Sequence, residues 1–108
     1  MTAGLAPPDA IDRLLDRVAA DQQVARAALI GPARSARLVR VRFAAVWLAR
    51  TALSASWRAI GRQLGRRDHS TIIHAFTRAE ALRGADSGFR ATTDRLLAAL
   101  ATGAGERS

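Results

Sequence analysis

The sequence predicts an all-α protein, folded as a compact bundle of five or six helices. Glycine and proline divide the chain into blocks, and no window shows the sustained alternation of apolar and polar residues that half-buried strands require. Within the blocks, apolar residues recur three and four positions apart, which places them on one face of a helix. The 108 residues have room for one domain with a modest core.

The first two helical blocks lie before the Gly31-Pro32 pair. Asp9 can cap a first helix that ends near Asp21. The apolar stripe of this helix consists of Ile11, Leu14, Leu15 and Val18. A short second helix is predicted over residues 24–30. It ends at Gly31-Pro32 because proline disfavours helical geometry in the residue before it.

A long third helix is predicted from Ser35 to about Leu53. Its apolar residues lie on two sides, which indicates a central position in the bundle. One side carries Leu38, Val41, Ala45, Leu48 and Ala52, and the other carries Phe43 and Trp47. The two aromatic residues are therefore interpreted as core, in preference to a platform for stacking bases. Ser54 or Ser56 can cap the next helix.

The next two helices are joined by a tight turn, the layout of a helix-turn-helix. Gly65 ends the first of them because glycine tolerates the left-handed backbone, and Asp68 caps the second. At 100° per residue the second helix has a polar arc and an opposite apolar arc. The polar arc consists of Ser70, Thr71, His74, Thr77 and Arg78, and the apolar arc of Ile72, Ala75, Phe76, Ala79 and Leu82.

A last amphipathic helix is predicted with Ser87 as its cap. Its apolar residues are Phe89, Leu96, Leu97 and Leu100. We expect a flexible N-terminus over residues 1–8, one domain over residues 9–102 and a disordered tail over residues 103–108.

The net charge of +8 is concentrated in one part of the chain. All 17 basic residues are arginine, and ten of them lie between Asp21 and Asp68, where there is no carboxylate. Such a segment attracts polyphosphate, and by charge alone it would equally attract an acidic membrane or an acidic protein surface.

Several classes of protein are excluded or disfavoured by composition. The absence of cysteine excludes disulfides and thiolate metal sites and fits a reducing cytoplasm. No apolar run is long enough to span a membrane, and residues 1–8 lack the features of a signal peptide. We expect a cytoplasmic protein without membrane contact.

The run from Ile60 to Ala75 closely resembles the signature of the DNA-binding domain of the bacterial chromosomal replication initiator, DnaA. In that family an Ile-Gly pair precedes a Phe-Gly-Gly-Arg-Asp-His-Thr-Thr-Val type of run. The resemblance extends without a gap from Arg34 to Ala75. It implies a five- to six-helix bundle containing a helix-turn-helix, similar to the C-terminal domain of the initiator.

The resemblance also implies a set of DNA-binding residues. Arg34 would correspond to the arginine of a basic loop that enters the minor groove. The positions that read bases and hold phosphates in the major groove would be Asp68, His69, Ser70, Thr71 and His74. Eight arginines could supply the sequence-independent attraction to phosphate, and we expect about half of them to touch it. They are Arg37, Arg40, Arg42, Arg50, Arg58, Arg62, Arg66 and Arg67, of which the last four are the predicted contacts.

The sequence departs from the family pattern at three places. The loop Gly31-Pro32-Ala33-Arg34 has one charge where the family carries two or three. Trp57-Arg58 replaces a Leu-Pro pair that packs against thymine methyls in the family. Leu64-Gly65-Arg66 replaces Phe-Gly-Gly, which keeps the turn glycine and adds a cation.

The same residues allow other roles. Asp68 can act as a plain helix cap, accept from a cytosine amino group, or do both. Arg34 can be an ordinary solvated arginine, and Ser70 and Thr71 can serve capping and helix solvation. Asp68, His69 and Ser70 are adjacent, so their side chains diverge and cannot form a catalytic triad. The spacing of His69 and His74 is wrong for two metal ligands on one helical face.

The resemblance implies binding of double-stranded DNA at initiator-type boxes, which would modulate replication initiation. The sequence has no lysine, so it cannot contain the Gly-Lys-Ser/Thr phosphate loop of the initiator's ATPase module. We therefore expect no enzyme activity, no cofactor and no small-molecule substrate. One alternative is an accessory regulator that contacts the replication initiator or the partner controlling its ATP hydrolysis. Another is a helix-turn-helix transcription factor.

Overall fold

The computed structural model describes residues 7–106, and their side chains up to residue 101. All regular structure in this part is helical, which confirms the predicted all-α class. The helices are α1 (Pro8–Gln22), α2 (Arg26–Ile30), α3 (Ala36–Leu53), α4 (Trp57–Gln63), α5 (His69–Ala85) and α6 (Ser87–Glu106). Within residues 7–106, none of the helices combines the length and the apolar character that a membrane crossing needs.

The third helix lies at the centre of the bundle, as predicted. α3 packs against all five other helices, with its largest contacts to α5 and α1. Ala44, Ala45 and Ala49 of α3 are buried. Because their side chains are small, the neighbouring helices can approach α3 closely. Val46 and Leu48 of α3 are fully buried. The core therefore surrounds the middle of α3, where the buried residues run from Val41 to Ala49.

Among the predicted caps, Ser56 is confirmed, and those of the first and last helices are wrong. Ser56 caps α4 by accepting from the Ala59 amide at 3.1 Å. Ser35 caps α3 by accepting from the Leu38 amide at 3.2 Å, although the sequence analysis predicted no cap for that helix. The first helix instead begins at Pro8, with Pro7 at the cap position. Asp9 consequently lies inside the first turn of α1, where its negative charge still interacts favourably with the positive end of the helix dipole.

The cap of α6 is Asp86, not Ser87. The Asp86 carboxylate accepts from the Phe89 amide at 2.9 Å and from the Arg40 guanidinium at 2.6 Å. Both residues are typical helix caps, so the sequence alone could not choose between them. The ion pair with Arg40 of α3 favours Asp86 because it also ties the start of α6 to the central helix.

We expect Asp86→Ala to lower the melting temperature at neutral pH, with Ser87→Ala as the matched control that leaves it unchanged. The Arg40 guanidinium and the Phe89 amide hold the pKa of Asp86 below its usual value. A carboxyl whose pKa is lower in the folded state stabilises the fold above the unfolded-state pKa and loses that contribution as the pH falls through the folded pKa. The difference in melting temperature between parent and Asp86→Ala should therefore shrink in acid. Equal melting of both variants at neutral pH would contradict the cap assignment.

The predicted boundaries at the chain ends are only partly covered by the structure. The expected tail over residues 103–108 overlaps α6, whose last residue is Glu106. Residues 1–6 and 107–108 lie outside the described part, and with them most of the predicted N-terminal segment.

Candidate nucleic-acid interface

The predicted helix-turn-helix is formed by α4, a tight turn and α5. Gly65 and Arg66 in the turn both have left-handed backbones, with φ of 81° and 58°. Leu64 is buried and anchors the turn to the core. The Arg67 amide donates to the Gly61 carbonyl at 2.8 Å, which brings the end of the turn back against α4. These contacts fix the direction in which α5 begins.

The start of α5 has the cap geometry that the sequence predicted. The Asp68 carboxylate accepts from the Ser70 amide at 3.1 Å through Oδ2. The hydroxyl and amide of Ser70 hold the pKa of Asp68 below its usual value. The His69 Nδ1 atom lies 3.9 Å from Asp68 Oδ1, which is too far for a hydrogen bond. The three adjacent residues therefore form a helix cap and no catalytic relay.

One face of α5 is polar and exposed, as predicted. The exposed residues on this face are Ser70, Thr71, His74, Thr77 and Arg78. The opposite side packs into the core through Ile72, Ala75 and Ala79, all of which are buried. His69 is exposed at the first position of the helix, next to its capping residue. The N-terminal half of α5 thus presents hydroxyls and imidazoles to the exterior.

Exposed arginines surround this face. They are Arg34 in the loop between α2 and α3, Arg58 and Arg62 on α4, and Arg66 in the turn. Within residues 7–101, no carboxylate forms an ion pair with any of these four arginines. The carboxylates that do pair with arginine are Asp12, Asp16, Asp21, Asp86 and Asp94, and they lie on α1, on α6 and between α5 and α6. The charge of these four arginines is therefore not neutralised by an ion pair within that part of the chain.

Four more of the arginines proposed for phosphate attraction have contacts within the fold, namely Arg37, Arg40, Arg42 and Arg50. Arg40 pairs with Asp86, and Arg50 donates to the Ala55 carbonyl at 2.9 Å. Arg37 donates to the Gln22 carbonyl. Arg42 is only 7% exposed and donates to backbone carbonyls at the end of α2, so it belongs to the half of the eight arginines that was not expected to touch phosphate.

Arg67 is placed differently from its exposed neighbours. Its side chain is partly buried, and its guanidinium donates to the Gly31 carbonyl at 2.8 Å and to the Leu64 carbonyl. Burial, followed by the nearby charge of Arg34, lowers the pKa of Arg67. The guanidinium is thus directed at the carbonyls of the protein itself, and no feature of the local sequence indicated this orientation.

Trp57, at the first position of α4, contributes to packing. Its ring meets the Phe76 ring edge-on, with centroids 5.4 Å apart, and the Arg50 guanidinium lies 4.0 Å from the Trp57 ring centroid. Arg58, the second residue of the pair that replaces Leu-Pro, is exposed. The substitution therefore adds one core contact and one surface charge beside α5. Among the described residues, no group of three or more His, Cys, Asp or Glu residues is arranged to hold a metal ion.

The model of a known protein family, described as "Bacterial dnaA protein helix-turn-helix", matches residues 11–78. The chain belongs to this family. The matched residues contain most of α1, the whole of α2, α3 and α4, the turn and the part of α5 that carries the polar face. The resemblance inferred from the run Ile60 to Ala75 is confirmed.

Individual relatives agree with the family match. The chain is 43% identical over 74 residues to the chromosomal replication initiator protein DnaA of a Bradyrhizobium species, covering 68% of this chain and 16% of that protein. It is 40% identical over 77 residues to the DnaA protein of Caulobacter vibrioides, covering 71% of this chain and 16% of the relative. The DnaA protein of Sphingopyxis alaskensis is 40% identical over 81 residues, covering 75% of this chain and 18% of the relative. The chain thus spans less than a fifth of the length of these relatives.

A solved structure supports the fold. The crystal structure of a DNA replication initiation factor superposes with a TM-score of 0.75 at 28% sequence identity, covering 83% of this chain and 27% of that chain. The helical bundle with its helix-turn-helix is thus the architecture expected from the resemblance.

Proposed function

We propose that this protein binds double-stranded DNA, with the start of α5 in the major groove and Arg34 in the adjacent minor groove. The observation that carries the proposal is the polar, exposed face of α5 among four exposed arginines that pair with no carboxylate in residues 7–101. An α-helix fits the major groove, and arginine suits the narrow, electronegative minor groove. Membership of the DnaA helix-turn-helix family supports the same conclusion.

The geometry suggests a division of roles among the contacts. Arg58, Arg62 and Arg66 are exposed cations that suit phosphates, which position a protein on DNA without reading its sequence. Ser70 and Thr71 carry exposed hydroxyls that can donate to phosphates. These five residues would set affinity and orientation.

Base recognition would fall to Asp68, His69 and His74. Asp68 caps α5 through Oδ2, so Oδ1 remains able to accept from a cytosine amino group. Capping and base recognition are therefore compatible in this one carboxylate. The two imidazoles are exposed, one at the start of α5 and one a turn and a half later. The preferred target would be an initiator-type box.

The direct test compares the affinity of the protein for a duplex carrying an initiator-type box with that for a scrambled duplex. Fluorescence anisotropy with labelled duplexes at a fixed salt concentration measures both. Tighter binding to the box supports sequence-specific recognition, and equal binding would reduce the proposal to non-specific DNA association. Absence of binding to both duplexes would remove it.

We expect His69→Ala to reduce discrimination between box and scrambled duplex by about 5- to 150-fold, which corresponds to roughly 1–3 kcal/mol. Arg62→Ala is the matched control, because an exposed arginine on α4 would contact phosphate and should weaken both complexes about equally. Circular dichroism establishes that both variants are folded. Unchanged discrimination in folded His69→Ala would contradict the placement of α5 in the major groove.

In the cell, we propose that the protein occupies initiator-type boxes on the nucleoid and modulates replication initiation. The 108 residues contain no lysine and hence no Gly-Lys-Ser/Thr phosphate loop, so any dependence on ATP would come from outside these residues. Arg34→Ala tests this role, and replication timing is measured by flow cytometry. Loss of the effect together with loss of box binding supports action through DNA. An active variant that no longer binds the box would favour contact with the initiator or its regulatory partner.

A further inference from the structure

Two arginines from distant parts of the chain meet at the C-terminal end of α2. Arg42 of α3 donates through Nε to the Leu29 carbonyl at 2.8 Å and through Nη2 to the carbonyls of Ala28 and Gly31 at 3.0 and 2.9 Å. Arg67, from the turn before α5, donates to the same Gly31 carbonyl at 2.8 Å. The last carbonyls of a helix lack partners within the helix and attract cations, so this end of α2 suits both guanidinium groups.

The Gly31 carbonyl joins these two arginines to the loop that carries Arg34. It accepts from both Arg42 and Arg67, and it lies three residues before Arg34. Arg42 is a residue of the central helix α3, and Arg67 directly precedes Asp68, the cap of α5. One backbone oxygen thus connects the core, the loop and the start of the proposed recognition helix.

A close backbone contact reinforces the same junction. A Cβ atom placed on Gly65 would lie closer than 3.0 Å to the Ile30 carbonyl oxygen, a distance that real Cβ atoms do not adopt. The turn of the helix-turn-helix therefore rests directly on the end of α2. The Arg67 guanidinium lies beside this contact and also donates to the Leu64 carbonyl in the turn.

The close placement of these arginines is electrostatically unfavourable. Burial, followed by the charges of Arg67 and Arg34, lowers the pKa of Arg42, so three cations lie close together. Within residues 7–101, neither Arg42 nor Arg67 has a carboxylate partner in an ion pair. Buried charge is unfavourable unless its hydrogen bonds are satisfied, and here backbone carbonyls satisfy them. A lysine could supply the charge but could not donate to several carbonyls in the planar fork of a guanidinium.

We propose that Arg67, together with Arg42, is a positioning residue for DNA recognition that holds the loop of residues 31–34 at a fixed distance from the start of α5. The inference rests on the proposed function. Arg34 and α5 then meet adjacent grooves with their spacing already set, which reduces the ordering cost of binding. Arg67 acts through the geometry of Arg34 rather than through a phosphate contact of its own.

A double-mutant cycle tests this role. Box affinity is measured for the parent, Arg34→Ala, Arg67→Lys and the double variant at one salt concentration. We expect Arg34→Ala to weaken the parent by about 5- to 150-fold but the Arg67→Lys background by only about threefold or less. If Arg67 instead contacted a phosphate, Arg67→Lys would bind the box nearly as the parent does, because lysine keeps the charge. The effect of Arg34→Ala would then be the same in both backgrounds. That result would overturn the proposal.

A measurement without DNA separates this inference from the proposed function. NMR order parameters of the Ala33 and Arg34 amides should fall in Arg67→Lys, because the loop loses its attachment to the turn. Arg83→Lys is the matched control, since Arg83 also donates to groups of the fold, Thr93 at 2.6 Å and Asp94 at 2.8 Å, but at the α5–α6 side.

The control should leave both the loop order parameters and the effect of Arg34→Ala unchanged, whatever it does to the melting temperature. Unaltered loop order in Arg67→Lys would overturn the positioning role even if the parent binds its box. Conversely, a parent that binds no duplex would remove the proposed function and this inference with it, although reduced loop order in Arg67→Lys would still establish the attachment itself.

Discussion

Raising the salt concentration from about 50 to 200 mM should weaken the binding of this protein to duplex DNA by roughly 250- to 1000-fold. Five exposed arginines would bring positive charge to the duplex, namely Arg34, Arg58, Arg62, Arg66 and, on the polar face of α5, Arg78, and so give a slope of log affinity against log salt of about −4 to −5. Each contact releases condensed counterions from the duplex, and added salt opposes that release. A titration by fluorescence anisotropy at several salt concentrations measures the slope.

The structure offers a matched pair of variants for this measurement. Arg62→Ala removes an exposed arginine of α4 and should make the slope less negative by about 1. Arg95→Ala removes the same charge from α6, where Arg95 pairs with Asp21 at 2.7 Å, and should leave the slope unchanged. A slope near zero for the parent would exclude phosphate-driven binding. Equal effects of the two variants would show that overall charge, and not the surface around α5, determines the affinity.

The helix-turn-helix could be predicted from the sequence because its signals are local. A glycine with a left-handed backbone at Gly65 and a capping carboxylate at Asp68 act on their immediate neighbours, and both were found where the sequence placed them. The polar and apolar arcs of α5 follow from the helical period alone. The central position of α3 was predictable for a related reason, since a helix that is apolar on two sides must be covered on both.

The orientation of the arginines could not be predicted in the same way. Arg42 and Arg67 donate to carbonyls that precede them by 11 and 36 residues at Gly31, so their partners are set by the packing of α2 and not by neighbouring residues. Arg66 and Arg67 are adjacent and chemically identical, yet the first is exposed and the second is partly buried. A run of arginine therefore indicates a positive surface without showing which members form it.

The distribution of carboxylates follows the same division. Asp21 and Asp86 each bind an arginine from another helix, which joins α1 to α6 and α3 to the start of α6. These ion pairs bring distant parts of the chain together and neutralise the surface there. Arg34, Arg58, Arg62 and Arg66 form no ion pair with a carboxylate within residues 7–101, so their charge remains available to a polyanion.

We expect Gly61→Ala to destabilise the fold by about 1–3 kcal/mol or more and to weaken DNA binding with it. Gly61 is buried in α4, and a Cβ atom there would lie closer than 3.0 Å to the Arg67 carbonyl oxygen and 3.3 Å from Ile72 Cγ1. The first of these contacts is with backbone, which cannot rotate away as a side chain can. The turn would have to move, and with it the 2.8 Å hydrogen bond from the Arg67 amide to the Gly61 carbonyl.

Gly84→Ala is the matched control, because it adds the same methyl group to a helical glycine of α5, where nothing beyond the adjoining residues and helix backbone lies within 4 Å of the new Cβ. Alanine is favoured over glycine inside a helix, so Gly84→Ala should be neutral or stabilise the protein by about 0.5–1 kcal/mol. Chemical denaturation of the parent and both variants gives the free energies of unfolding, and anisotropy gives the box affinities. If Gly61→Ala and Gly84→Ala have the same free energy of unfolding and the same box affinity, α4 and the turn do not approach as closely as the structure indicates. The fixed direction of α5 would then need another explanation.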